Sequence, residues 1–277
     1  MENSQQKINW FPGHMKKATD QIGQILKSVD VVIEVVDARG VNLTSNHELE
    51  TLIGSKPLLQ VALKSDLVDI KTFTNKPNLV YASKYDMNLV KVIIKKLEAI
   101  TASKTAKNKA KGLLVSNYQV MIIGLPNVGK TSLINTLIKK SHLRVENRPG
   151  VTKKISQVKL NDRFNLLDTP GILFKKIDEF NVGAKLVLMG IIKPEVVPLN
   201  EVMLFGYRYL TKHYLALITK FYQFEIDENY EFFLERLASK RKFLLKGNQL
   251  DYDRAQQTFF SDLTSGKIGK INFEYEI

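Results

Sequence analysis

The chain has 277 residues, of which 44% are hydrophobic and 25% are charged; this is ordinary for a globular protein and too apolar for a disordered one. It contains no cysteine, which excludes a disulfide scaffold and cysteine-ligated metal centres and fits a reducing compartment. No apolar run approaches the roughly 20 residues of a membrane span, and the first residues lack the apolar stretch of a secretory signal. We therefore expect a soluble, cytoplasmic, basic protein with a net charge of +13.

Predicted strands and helices alternate through the first half of the chain. Apolar residues at three- and four-residue spacing predict an amphipathic helix first, over 15–29. Strands are then predicted at 31–38, 58–63, 79–82 and 120–123, with helices between and after them at 45–53, 89–100 and 131–139. The polar segment 101–111 is predicted to be a linker or exposed loop. Further on, the pair Asn161 and Asp162 predicts a hairpin turn between two short strands.

The second half is predicted to be helical, because Leu, Tyr and Phe recur at helical spacing over 200–224, 230–245 and 252–263. We expect one domain over 1–192 and an all-α domain over 193–277. The first is predicted to be α/β, with a mostly parallel six-stranded sheet and helices on both faces. It holds 29 Lys and Arg against 16 Asp and Glu, while 193–277 hold 12 of each. Either the first domain faces a polyanion, or the organism is lysine-rich throughout.

The strongest motif is Gly124–Thr131, which matches G-x-x-x-x-G-K-[ST] between a predicted strand and a predicted helix. Its two glycines allow backbone N–H groups to face phosphates, and the helix N-terminus adds partial positive charge. Lys130 would place its charge on the β- and γ-phosphates and assist catalysis, and the Thr131 hydroxyl would ligate Mg²⁺. The predicted phosphate-binding residues are Asn127, Val128, Gly129, Lys130, Thr131 and Ser132.

Two short strings behind this loop suit the rest of a magnesium–phosphate site. Asp168 opens the sequence Asp-Thr-Pro-Gly and is expected to reach Mg²⁺ through water, while the Gly171 N–H would sense the γ-phosphate. Thr152, in the preceding loop, is expected to complete the Mg²⁺ shell when a γ-phosphate is present. Each string is weak alone, but their order and spacing make them specific together.

These residues resemble the translation-factor class of GTPases, with the guanine-reading elements placed before the phosphate loop. That order is typical of a circular permutation. The opening Trp10–Met15, the Asp-Ala-Arg that ends at Arg39 and the tail 245–251 resemble the ribosome biogenesis GTPase A (YlqF-type) family, over nearly the whole chain. The resemblance implies a circularly permuted P-loop GTPase domain with a small all-α domain behind it, and it implies GTP or GDP and Mg²⁺ as ligands.

The resemblance places the guanine-reading loop at 63–66, where the chain has Leu-Lys-Ser-Asp and the family pattern begins with Asn. Asp66 can pair with the ring N–H and exocyclic amine of guanine. Loss of the Asn removes about 1 kcal/mol of hydrogen bonding, so we expect guanine preference with weakened affinity. The alternative is a plain strand end, with the base loop elsewhere. The predicted base-binding residues are Leu63, Lys64, Ser65, Asp66 and Ser83.

Two further residues are candidates for a role in hydrolysis. Ile172 stands where Ras-like enzymes carry a water-positioning Gln, which leaves His14 as the candidate that orients or deprotonates water. His14 could instead cap a helix or touch the ribosome. Asn127 matches an Asn that helps to hold K⁺ in potassium-dependent relatives, so K⁺ is a candidate cofactor; a turn-favouring Asn is the alternative.

The resemblance implies an assembly factor that binds a late precursor of the large ribosomal subunit, through rRNA and ribosomal proteins, and whose GTP hydrolysis the particle stimulates. We expect a cytoplasmic monomer that contacts neither a membrane nor DNA. One rival is a non-catalytic rRNA-binding scaffold locked by nucleotide. The other is a GTPase that acts on a different RNA partner, such as the small subunit or a tRNA.

Overall fold

The computed structural model describes residues 22–112, 117–141, 145–146, 157–167, 177 and 179–276. The described residues fall into two compact units. One lies within Phe11–Asp66 and Ile70–Lys176, and the other contains Leu67–Asp69 and Ile177–Ile277. The helix over Phe180–Leu188 belongs to this second unit and packs on the next helix of the same unit. The domain boundary after 192 stays a prediction.

The first unit is built on a seven-stranded sheet in the order β3-β2-β1-β4-β7-β6-β5. Neighbours from β3 to β7 are parallel, and β7, β6 and β5 pair antiparallel. Strands and helices alternate along this unit, which confirms the predicted α/β class. Six strands were predicted; six have three or more residues, and β5 adds a two-residue strand at the edge. The strands are β1 Val31–Asp37, β2 Leu58–Leu63, β3 Leu79–Tyr81, β4 Tyr118–Gly124, β5 Val145–Glu146, β6 Gln157–Lys159 and β7 Phe164–Leu167.

Both faces of the central strands are buried. On one face, Val32 and Met121 pack in a cluster with Leu26 and Leu49, and on the other Ile33 is fully buried. Burying an aliphatic side chain of this size contributes roughly 1.5–3 kcal/mol, so β-branched runs are stable here as central parallel strands. Residues 22–26 are helical and lie within the helix predicted over 15–29. The other α-helices described in this unit are α1 Val41–Thr44, α2 Glu48–Ile53, α3 Leu89–Ala110 and α4 Lys130–Ser141.

Segment 101–111 corrects the sequence prediction, because the structure has it as the last three turns of α3 instead of a linker. Alanine and lysine are strong helix formers, so a polar stretch rich in both can continue a helix without burying an apolar face. Thr105 ties these turns to the sheet: its hydroxyl lies 2.9 Å from the Tyr118 hydroxyl and accepts from Arg163 at 3.0 Å.

The predicted helix over 45–53 is present but begins three residues late, at Glu48. Asn46 lies before it, and its backbone N–H donates to the buried Glu34 carboxylate at 2.8 Å. Its side-chain oxygen accepts from the Glu48 N–H at 3.0 Å, as a helix-capping residue does. This late start could not be predicted from the sequence, because it depends on Glu34, a distant residue on β1.

The second unit is helical, with an aromatic core. Phe233 lies 4.9 Å from both Tyr207 and Phe259, measured between ring centroids, and the Tyr207 hydroxyl donates to the Asp227 carbonyl at 2.6 Å. In the part of the chain that the structure describes, no helix combines the length and the apolar character needed to cross a bilayer. The helices are α5 Phe180–Leu188, α6 Leu199–Tyr222, α7 Tyr230–Arg241 and α8 Tyr252–Thr264. The last three match the predicted helices to within a few residues, whereas α5 was not predicted.

Candidate functional site

The carboxyl ends of four parallel strands meet at one edge of the sheet. In the strand register, Asp37 at the end of β1 lies beside Leu63 at the end of β2, and Gly124 at the end of β4 lies beside Val35. β3 ends next to β2, just before Ser83. This edge is where open parallel sheets bind ligands, so the topology brings the predicted base loop and the predicted phosphate loop together.

The phosphate loop needs glycine at both ends. A Cβ on Gly124 would lie 2.5 Å from the Val35 carbonyl oxygen, so only glycine fits so close to β1. Gly129 has φ +105°, a conformation that residues with a side chain rarely adopt. Asn127 also lies in the left-handed region, at φ 60°, where Asn is tolerated better than most residues.

Burial divides the loop into an anchor and an outward face. Leu125 and Val128 are buried and hold the loop to the core, while Asn127, Thr131 and Ser132 are exposed. α4 begins immediately, at Lys130, so its unpaired N–H groups and partial positive charge lie at the loop. The exposed Thr131 hydroxyl is an oxygen donor of the kind that Mg²⁺ prefers.

The base loop is held by a backbone hydrogen bond to the residue that follows β3. The Ser65 N–H donates to the Ala82 carbonyl at 3.1 Å, and Asp66 follows in a 3-10 turn with its carboxylate exposed. Ser83 is held in turn by Asp86, whose carboxylate accepts from the Ser83 N–H at 2.8 Å. Asp86 was not among the predicted site residues, although Ser-x-x-Asp after a strand is a turn signal.

Lys64 joins the two loops. Its ammonium group donates to the Asn127 carbonyl at 3.1 Å and lies 2.7 Å from the Asp37 carboxylate. Its backbone has φ 60°, an unfavourable conformation for lysine that turns the chain sharply out of β2. One side chain therefore connects the end of β1, the base loop and the phosphate loop.

Asp37 is the buried anchor of this arrangement. Its side chain has no exposed surface, and Arg39 donates to it from Nε at 3.0 Å and from Nη2 at 2.8 Å. Burial alone would raise the pKa of the Asp37 carboxyl, but the charges and hydrogen bonds of Arg39 and Lys64 outweigh it and hold that pKa below its ordinary value. The Asp-x-Arg spacing at a strand end was the signal in the sequence for this pair.

Four predicted site residues lie outside the described part of the chain: His14, Thr152, Asp168 and Gly171. Their assignments stay predictions. The structure brings together the remaining ones, on the base loop and on the phosphate loop. Those residues can hold a phosphate chain against α4 and present a carboxylate, that of Asp66, to a base.

In comparisons with known proteins, the chain is similar to GTPases and to proteins named for ribosome biogenesis. A family model described as "50S ribosome-binding GTPase" matches residues 119–218. A Mycoplasma pneumoniae protein named "Probable ribosome biogenesis GTPase A" is 47% identical, over 98% of this chain and 97% of its own. "Ribosome biogenesis GTPase A" of Bacillus cereus is 35% identical, over 96% and 93%. A solved chain described as "Crystal structure of GNP-bound YlqF from T. maritima" superposes with a TM-score of 0.64, at 28% identity over 93% and 97%.

Proposed function

Because the chain belongs to the ribosome biogenesis GTPase A family, a family of circularly permuted GTPases, we propose that it binds a late precursor of the large ribosomal subunit and hydrolyses GTP there. It is a GTPase and a guanine-nucleotide-binding factor of ribosome biogenesis. The observation that carries the proposal is the junction of base loop and phosphate loop through Lys64, Asp37 and Asn127. A nucleoside triphosphate bound across that junction would bridge both loops.

In the proposed mechanism, the backbone N–H groups of the loop ending at Gly129 and the start of α4 hold the phosphates. Lys130 offsets negative charge on the β- and γ-phosphates as water attacks the γ-phosphorus and GDP leaves. Asp66 selects guanine, since its two acceptor oxygens match the two donors on that edge of the base. Mg²⁺, when bound through Thr131, Thr152 and, by way of water, Asp168, would add further charge neutralisation.

We expect slow hydrolysis by the free protein, because Ile172 is apolar and cannot position the attacking water. We assign the positioning of the attacking water to His14, in an arrangement that forms when the protein binds the ribosomal particle. Potassium bound near Asn127 would supply charge that other GTPases obtain from an arginine finger.

The partner proposal has two supports. One is the description of the matching family model, which names the 50S particle. The other is the charge of α3, which carries six lysines and a single acidic residue, Glu98. Lys91, Lys95 and Lys109 are exposed, and their spacing places them on one face about 27 Å long. Glu98 lies on the same face and pairs with Arg163 at 3.8 Å, which leaves an excess of positive charge. A cationic face of this kind fits an RNA phosphate backbone. We propose that the protein acts as a monomer in the cytoplasm.

Sedimentation with separated ribosomal particles tests the partner. The protein is centrifuged with large-subunit precursors, mature large subunits and small subunits, each with GDP and with a non-hydrolysable GTP analogue. We expect it to pellet with large-subunit particles in the GTP-analogue state and to be released as salt rises. Equal pelleting with small subunits, or pelleting with neither particle, would contradict the proposed partner.

A further inference from the structure

Leu63 stands where the resembled family pattern has Asn, and the structure packs it against the phosphate loop. A Cβ built on Gly129 would lie 2.9 Å from Leu63 Cδ1 and 3.8 Å from Leu63 Cβ. Real Cβ atoms essentially never approach another heavy atom closer than 3.0 Å. Gly129 and Leu63 are therefore in direct contact, with no room for even a methyl group between them.

The position of Leu63 is set by the sheet. It is the last residue of β2, it is paired with Asp37, and its carbonyl accepts from the Ala38 N–H at 2.8 Å. The side chain is only 7% exposed. The strand thus ends with the Leu63 side chain directed at the phosphate loop instead of at solvent, and the chain turns sharply at the next residue, Lys64.

Leu63 and Lys64 hold the two ends of one turn. Lys64 donates to the carbonyl of Asn127, where the turn begins, and Leu63 packs on Gly129, where it ends. Both ends have positive φ, which glycine adopts freely and asparagine tolerates, so the backbone permits the turn and the contacts of Leu63 and Lys64 restrict its movement. The polar contact holds one end, and the apolar contact holds the other.

We propose that Leu63 is a positioning residue, which keeps the Asn127–Gly129 turn in its phosphate-binding conformation and does not read the base. An aliphatic side chain cannot hydrogen-bond guanine, but it can exclude water and resist rotation of the turn. The inference rests on guanine-nucleotide binding at this site. It predicts that changes at Leu63 alter affinity for the phosphates and leave the choice between bases unchanged.

The first experiment measures GDP and IDP binding to the full-length chain, by titration with fluorescent nucleotide analogues. IDP lacks the exocyclic amine of guanine, so the ratio of the two Kd values reports base reading alone. In Leu63→Ala we expect both Kd values to rise about tenfold, with their ratio unchanged. Leu63→Met keeps the volume and is expected to bind within about threefold of wild type.

The matched control is Leu59→Ala, which removes a fully buried leucine from the same strand away from the phosphate loop. It is expected to lower Tm and leave both Kd values unchanged. The proposal is wrong if Leu63→Ala alters the IDP-to-GDP ratio, or if its GDP Kd stays within about twofold of wild type. Failure of the wild-type chain to bind any guanine nucleotide would instead refute the site itself.

A double-mutant cycle tests the contact directly. Gly129→Ala suffers both from φ +105° and from the clash with Leu63, and only the clash is relieved in the Leu63→Ala background. We expect the added Kd penalty of Gly129→Ala to be at least about fivefold smaller in that background. Equal penalties in the two backgrounds would show that Leu63 does not restrain the turn.

Discussion

The Lys64 ammonium lies 2.7 Å from the carboxylate of Asp37, and that carboxylate is completely shielded from solvent. The same ammonium reaches the phosphate loop at the Asn127 carbonyl. A buried acid at the end of one strand thus fixes the lysine that joins the base loop to the phosphate loop. The stability of the first unit and the order of its nucleotide site depend on the same charge.

Asp37→Asn should reveal this dependence. The change leaves Arg39 and Lys64 without their shared counter-charge, and breaking a buried ion pair from one side costs about 3 kcal/mol. We expect the free energy of unfolding in urea to fall by about that amount, and GDP binding to weaken. Asp162→Asn is the control, since Asp162 is 95% exposed and its removal should leave the urea midpoint unchanged.

The pH dependence of Asp37→Asn provides a second check. Because the pKa of Asp37 is lower in the folded chain than its ordinary 3.8, its stabilisation is present above that value and is lost as pH falls through the folded-state pKa. The difference in the free energy of unfolding between wild type and Asp37→Asn should therefore become smaller as pH falls. A difference that stays constant down to about pH 3 would contradict the ion-pair account.

Alkaline pH should destabilise the helical unit. The Tyr209 hydroxyl donates to the Asn272 carbonyl at 2.6 Å, and burial raises the pKa of Tyr209 above its ordinary 10.0. Burial likewise raises the pKa of Tyr214 to about 12. A raised folded-state pKa gives stability that is present below pH 10 and lost as pH rises through the folded-state value.

Tyr209→Phe isolates this effect. Loss of the hydrogen bond should lower the free energy of unfolding by about 1 kcal/mol near neutral pH. Above about pH 10 the variant should lose stability less steeply than wild type. Urea unfolding followed by tyrosine absorbance measures both. Tyr252→Phe, at a more exposed tyrosine of α8, is the control. Parallel alkaline profiles for wild type and Tyr209→Phe would contradict the assignment.

The basic face of α3 is tested by reversing its charge. Lys91→Glu with Lys95→Glu should weaken binding to large-subunit particles about tenfold at moderate salt and reduce the slope of affinity against salt concentration. The matched control replaces the same two lysines by arginine, which preserves their charge. Unchanged sedimentation of the glutamate variant would exclude this face as a contact.

Potassium dependence is tested with Asn127→Gly. Glycine keeps the positive φ of 60° and the carbonyl that accepts from Lys64, so the backbone turn is retained while the side chain is lost. If the Asn127 side chain helps to hold K⁺, the variant should hydrolyse GTP at nearly equal rates in potassium and sodium buffers. A wild type that shows no preference for potassium would refute the proposed cation site.

Much of the site could be predicted from the sequence, because strand ends, glycine positions and motif order are local features. The junction of the loops at 63–66 and 124–131 follows once parallel strands are assumed, since their carboxyl ends share an edge. The contact of Leu63 with Gly129 could not be predicted, because it depends on the strand register and on the direction of one side chain. From the motif alone, one learns only that Leu63 replaces the Asn of the family pattern.

The two incorrect predictions, a linker over 101–111 and a helix that begins at 45, also have physical causes. The last turns of α3 lack an apolar face, so their pattern is that of a linker, while their alanines and lysines favour helix. The late start of the helix after Asn46 depends on the buried Glu34 of β1. Both features are decided by a residue's chemistry or by a distant partner, and hydrophobic periodicity reports neither.

The most direct test of the proposed function is phosphate release from GTP in potassium buffer, measured with no particle, with large subunits and with small subunits. Large subunits should stimulate wild type at least about tenfold and small subunits should not, while His14→Ala should bind GTP normally and lose the stimulation. Binding to large subunits without stimulation would contradict the account and favour a scaffold locked by nucleotide. Stimulation of His14→Ala to the wild-type rate would remove His14 from the mechanism.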